Sequence, residues 1–240
     1  MSPTVTPFSE LLRRRSRAGA GPGATDVALA GGAVTWSGGA HDLLAGECDV
    51  ADYADLLGQY AVVYDALERA AERMADHPVA APFVTTQLTR MPAIRADLEY
   101  LVGPDWSELC CPTAATTAYV RRLNEVAATS PGGFVAHHYT RYLGDLTGGP
   151  TLARLLEERF GFDTNGVLFT IFDQVADPSA FEDTYRAQLD AAPWSAAERE
   201  AVLAEVDLAA GLDRALVAAL RPPVAVATTA RGSAVHPVPA

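Results

Sequence analysis

The run Ala136-His137-His138-Tyr139-Thr140-Arg141-Tyr142-Leu143-Gly144-Asp145-Leu146-Thr147-Gly148-Gly149-Pro150 concentrates the residue types that do chemistry. Two histidines, an arginine and a single aspartate stand in it, and Gly144, Gly148 and Gly149 interrupt a pattern that is otherwise helical. Val135, Tyr139, Tyr142, Leu143 and Leu146 on one side, and Leu152, Leu155, Leu156 and Phe160 on the other, trace one apolar stripe. Each Gly costs roughly 1 kcal/mol against Ala in a helix interior. A conflict of this kind between local propensity and surrounding pattern marks functional sites. Glycine has no Cβ, so backbone can approach a flat ligand closely and a helix can bend there. The segment from Gly144 to Gly149 is therefore expected at a bend that faces a ligand cavity. The alternative is a glycine-assisted kink where two helices cross.

The elements that must position this run are all helical. Phe8 to Arg17 reads as a short amphipathic helix with Leu11 and Leu12 on its apolar side and Arg13, Arg14, Arg15 and Arg17 on its basic side. Its pattern ends at Ala18-Gly19-Ala20-Gly21-Pro22-Gly23, and Gly and Ala dominate from there to Ala40. Asp49 is an N-cap for a long helix to about Ala75, with Tyr53, Leu56, Leu57, Tyr60, Val63, Tyr64 and Leu67 buried. Further helices are expected over Met91 to Val102, from a Thr113 cap through Ala128, from Pro178 through Ala192, and from a Ser195/Glu198 capping box to about Leu220. Phe162 to Ala176 is loosely patterned, and no strand pattern of any weight is present. The expected architecture is an all-α, single helical domain over 41–221. A divergent helix and Gly/Ala-rich insertion occupy 1–40, and a disordered tail is expected over 222–240.

Composition narrows the function. The chain has 240 residues, 49% hydrophobic and 20% charged, enough for one sizeable core. Its net charge of −12 argues against a nucleic-acid or anionic membrane surface. The three cysteines, Cys48, Cys110 and Cys111, show neither metal spacing nor a disulfide framework, so a reducing, cytoplasmic setting is expected. The opening Met1 to Pro7 has no charged segment followed by an apolar core, and no apolar run is long enough to span a bilayer.

The central run resembles the distal helix of the haem oxygenases, whose motif reads close to A-H-x-Y-T-R-Y-L-G-D-L-S-G-G-Q. The likeness runs from Ala136 to Gly149, with Thr147 for the usual Ser and Pro150 for the usual Gln. It extends in order over most of Asp42 to Leu220. Asp42 to Gly46 and the Gln59 to Glu68 stretch are similar to the family's second helix, and Phe181 to Arg186 to a later segment. It does not reach the first forty residues.

The resemblance implies oxygen- and reductant-dependent opening of haem to biliverdin, iron and carbon monoxide. Haem is then the substrate, and an external electron donor, a reductase or a ferredoxin, is the partner. By resemblance, Gly144, Gly148 and Gly149 lie on the distal side of the haem, and Asp145 anchors ordered water, with Tyr64 donating to it across a helix pair. The bland reading of Asp145 is a surface carboxylate paired to Arg141 four residues earlier, and that of Tyr64 is a core aromatic. Tyr139 and Arg186 match residues on the propionate side. Glu182 stands where the family has a Lys and is expected to repel a propionate. Arg13 to Arg17 are either its compensation or a solvated basic face.

The axial ligand departs from the family. The position of its proximal His falls at Ala20 or Gly21, and neither can bind iron. His41 is the N-terminal candidate for a metal ligand, read as a loop residue first and a substitute ligand second. The alternative function that follows is a degenerate family member that binds haem or another tetrapyrrole without turnover. A helical interaction protein with an empty pocket is the third.

Overall fold

Asp49 starts the helix that buries the most residues, α1 being the shorter N-terminal helix, Phe8–Gly19. The Asp49 side chain accepts from the Asp52 N–H at 3.0 Å while Asp52 accepts from the Asp49 N–H at 2.9 Å, a closed capping box at the start of α2, Val50–Met74. The structure, a computed structural model, describes residues 6–19 and 48–220. The expected insertion and tail, together with Ala20, Gly21 and His41, lie outside the described residues. Every apolar residue assigned to the inner face of α2 is buried.

After two single 3-10 turns come α3, Met91–Val102, the short α4, Trp106–Leu109, and α5, Ala114–Thr129. Thr113 caps α5 through the Thr116 N–H at 3.1 Å, and Ser130 ends α5 and caps α6, Pro131–His138. The distal run continues through a π-turn, Tyr139–Leu143, into α7, Gly144–Phe160. Gly161, at φ +74°, closes α7 in the left-handed region that suits glycine. Then follow α8, Pro178–Ala191, and α9, Ala196–Leu220, the latter started by the Ser195/Glu198 reciprocal pair.

One expectation shifts. The irregularity expected at Gly144–Gly149 lies one turn earlier. Gly144 itself has ordinary helical angles, φ −59° and ψ −49°, and the wide turn is the π-turn that precedes it. A π-turn inserts one residue, so the backbone ladder changes pitch there. The Thr140 hydroxyl donates to the Ala136 carbonyl at 2.8 Å at that point. Pro150 sits exposed within α7 and brings no N–H for the Leu146 carbonyl.

The helices pack around the distal run. α2 lies against α5 and α3, while α9 crosses α6, α5 and α1. α8 touches α1, and the loop between α7 and α8 folds back onto α7 and α3. That loop is held by Asp97 of α3, a buried carboxylate that accepts from the N–H groups of Gly166, Leu168 and Phe169 at 2.9, 3.0 and 2.8 Å. No strand occurs among the described residues, and none of their helices is long and apolar enough to cross a membrane.

Candidate active site on the distal helix

Arg141 in the π-turn and Asp145 in the first turn of α7 point the same way, into the space between α2 and α9. The Arg141 guanidinium reaches the Asp145 carboxylate with Nη2 at 3.0 and 2.7 Å and the Asp213 carboxylate of α9 with Nη1. It also lies over the Tyr60 ring of α2, 4.4 Å from its centroid. Tyr64, one turn along α2, donates its hydroxyl to Asp145. All of these groups are buried. Burial works against the Arg141 charge, but Asp145, Tyr64, Asp213 and Tyr60 outweigh it and hold its proton more tightly than usual. Burial and the Asp145 charge push the Tyr64 hydroxyl well above its ordinary range, so it stays a donor. The surface reading of Asp145 is thus only half met. It pairs with Arg141 as expected, but in the interior and with a tyrosine as a second partner.

The glycines divide by what faces them. A Cβ on Gly144 meets no heavy atom of the described residues within 4 Å, although Gly144 is buried. A Cβ on Gly149 would stand 2.5 Å from the Thr170 carbonyl oxygen, so this glycine serves the seating of the 161–177 loop on α7. The side-chain direction of Gly144 therefore faces open space, while that of Gly149 is turned toward the loop. Gly148 lies between them in α7, partly exposed.

The expected propionate side is one cluster. Glu182 is buried on α8, accepts from the Thr147 hydroxyl of α7 at 2.5 Å, and pairs with Arg186 one turn along α8. Arg186 also reaches Asp183 at 3.3 Å. Tyr139 is buried, its hydroxyl raised well above the ordinary range by burial, with Arg186, Glu182, Arg13 and Glu10 also acting on it. Arg13, partly buried, pairs with Glu10 at 2.6 Å. Glu182 is thus already neutralised by Arg186, which modifies the expected repulsion into a competition for that guanidinium. Two surface clefts, one between α8 and the Ala81–Leu88 connection and one beside Arg90, are lined by neither Gly144, Asp145 nor Arg186.

Sequence reasoning missed two carboxylates. Asp213 completes the Arg141 pair, and Glu205 accepts from His137 Nε2 at 2.8 Å and from Arg122 at 2.9 and 2.5 Å. A signal was there: both lie on the apolar stripe of Val202, Val206, Ala209, Leu216 and Val217 along α9. His138 is buried against Tyr185, its Nδ1 2.9 Å from that hydroxyl, and burial holds its pKa down at about 3. No cluster of metal-ligating side chains occurs among the described residues.

This geometry lies within a chain stretch that matches a known family. Residues 37–218 match the family model Heme oxygenase. The chain belongs to the haem oxygenase family. Heme oxygenase of Porphyra purpurea is 36% identical over 69% of this chain and 70% of its own length. Heme oxygenase 1 of the cyanobacterium Synechocystis is 34% identical over 68% of each. The crystal structure of the Synechocystis heme oxygenase-1 in complex with haem superposes with a TM-score of 0.79 at 29% identity, covering 90% of this chain and 93% of that one. Heme oxygenase-2 of the same organism, in complex with haem and NO, gives 0.78 at 27%, with 90% and 85% covered. The all-helical fold is accordingly that of the haem oxygenases.

Proposed function

We propose that the protein binds haem against the distal run and opens it oxidatively to biliverdin, Fe2+ and CO. The observation that carries this is the open, buried face at Gly144 beside the Tyr64–Asp145–Arg141 constellation. A flat ring fits where a glycine backbone has nothing in front of it. Haem supplies the iron at which dioxygen is reduced, and electrons come from an external donor, a reductase or ferredoxin. The protein's own part is positional. Gly144 and Gly148 let the helix approach the ring. Asp145, held by Arg141 and Tyr64, keeps an acceptor aimed at ordered water there, and in a low-dielectric interior such a fixed carboxylate orients water strongly. Arg186 and Tyr139, with Arg13, form the cationic and hydroxyl side suited to propionates. Cys110 and Cys111 suit a reducing compartment, in keeping with a cytoplasmic protein.

A second reading is favoured by one observation. By the resemblance, the position of the family's proximal His falls at Ala20 or Gly21, and neither side chain can bind iron. Without a His there the iron lacks the bond that fixes it and sets its electron density. A protein of this second kind binds haem or another tetrapyrrole and does not turn it over. Absorbance titration with haem, then addition of reductant and oxygen with biliverdin as the readout, separates the two. Saturable binding with biliverdin formation supports the first, binding alone the second, and no binding refutes both.

A further inference from the structure

Arg90 is 3% exposed, as buried as Arg141 at 4%, yet the two differ in what neutralises them. Arg141 lies between the Asp145 and Asp213 carboxylates. Arg90 has no ion pair among the described residues. Its Nε donates to the Thr89 and Leu88 carbonyls at 2.9 and 3.3 Å, and its Nη1 to the Ile171 and Phe169 carbonyls at 2.5 and 3.4 Å. The guanidinium also lies 3.9 Å from the centroid of the Phe172 ring. Glu68 is the carboxylate in its electrostatic range, but Glu68 Oε1 is taken by the Arg90 and Met91 backbone N–H groups. Arg90 Nη2 has no acceptor among the described residues and is not sealed from solvent. Buried charges are ordinarily paired, because carbonyl dipoles return only part of the hydration that a cation loses.

Arg90 opens onto a cleft of about 520 Å³ between the start of α3 and the loop that follows α7. Thr86, Thr89, Pro92, Ala96, Leu168 and Ile171 line it. Ala93 borders it too. As the third residue of α3 it carries an N–H with no acceptor among the described residues, at the electropositive end of the helix. The cleft has the size of a small-molecule site, and it has the usual make-up of apolar walls with a few polar groups. We propose that it is a second ligand site, for a small organic monocarboxylate with an apolar body. The carboxylate sits on Arg90 Nη2 at the start of α3, and the apolar body lies along Ala96, Leu168 and Ile171. Asp173 stands exposed at the rim, and its negative charge selects a single carboxylate over a phosphate dianion. The site is apart from the distal run, yet Phe169 and Ile171 flank Thr170, whose carbonyl faces Gly149 of α7. A ligand on Arg90 therefore backs the turn that seats on the distal helix.

The proposal does not depend on haem binding, so its test uses the full-length protein without haem, and failure of the haem reading leaves it standing. Phenylbutyrate is the probe, with phenylbutyramide as its uncharged counterpart and inorganic phosphate as the other anion. Heteronuclear NMR reads binding, because the Arg90 Nε–H and the amides of α3 give separate signals. Saturable shifts of the Arg90 Nε–H and the Ala93 N–H are expected with phenylbutyrate, and the amide is expected to bind about tenfold to a hundredfold more weakly. Arg90→Ala would release the 168–171 turn and can unfold it, so the variant of choice is Ala96→Phe. Ala96 is exposed on α3, and the larger side chain fills the apolar end of the cleft while leaving Arg90 in place. It is expected to keep the wild-type spectrum away from the cleft and to weaken phenylbutyrate roughly fivefold to a hundredfold. The acid–amide comparison decides the matter without any variant. No saturable shift at Arg90, equal binding of acid and amide, or phosphate binding more tightly than phenylbutyrate overturns the proposal, as does a folded Ala96→Phe protein with unchanged affinity.

Discussion

Replacing Gly144 separates ligand space from packing space on one helix. Gly144 is α-helical and its Cβ direction meets no heavy atom of the described residues within 4 Å, so Gly144→Ala adds helix propensity at no steric cost. That gain is up to about 1 kcal/mol. For a domain of this size it raises Tm by roughly 2–4 °C. Gly144→Leu likewise folds, but its side chain occupies the space where a ring would lie. Forcing the ring past it costs about 1–3 kcal/mol, as overpacking does, which weakens haem binding roughly fivefold to a hundredfold or more. Gly149→Ala is the internal contrast. Its Cβ would stand 2.5 Å from the Thr170 carbonyl oxygen, and backbone cannot step aside cheaply. It is expected to lose about 1–3 kcal/mol of stability. Haem titration by absorbance and thermal unfolding by circular dichroism read the two effects. Haem affinity unchanged in Gly144→Leu, or a Tm loss in Gly144→Ala equal to that in Gly149→Ala, refutes the assignment of Gly144 to the ligand.

Arg186→Ala is expected to weaken haem binding, since a charge-assisted hydrogen bond is worth roughly 1.5–3 kcal/mol, or about tenfold to a hundredfold in Kd; an unchanged titration curve would refute the propionate role. Glu182→Lys is expected to tighten binding because it releases Arg186 from its buried partner and removes a carboxylate. Asp145→Ala leaves Arg141 short of one buried anion, and such breakage costs about 3–5 kcal/mol, so chemical denaturation should show a clear loss. Stability should fall with acid from His138. Its folded pKa, about 3, lies below the ordinary 6.5, so the unfolded chain takes the proton first. The contribution is complete above pH ~6.5 and is lost as pH falls toward 3, amounting to about 1.4 kcal/mol by pH ~5.5. His138→Gln should flatten that limb of a pH-stability series, and an unchanged limb would count against it. Spectra of the ferric haem complex should lack proximal-His character, and a His-ligated spectrum abolished by His41→Ala would show that His41 supplies the ligand.

The helices and their ends were legible in the chain itself because caps and stripes are local physics. Asp49, Thr113 and Ser195 each accept or exchange hydrogen bonds within three residues, and the apolar faces follow a fixed period. The distal motif likewise identified the family, because a long ordered string of residue types is specific wherever it folds. Three things needed the tertiary structure. The π-turn at Tyr139–Leu143 did, because one inserted residue leaves the apolar stripe unchanged in sequence. The partners of Arg141 and His137 did, because Asp213 and Glu205 are about 70 residues away, and their place on the apolar stripe marks them as inward-facing without saying what they meet until α9 docks. The glycines did as well. Gly144 and Gly149 have the same chemistry and stand in the same helix, yet one faces open space and the other a carbonyl. What separates them is the 161–177 loop, held onto α7 by Asp97 through three backbone N–H groups, and no local pattern encodes where a distant carboxylate will anchor a loop.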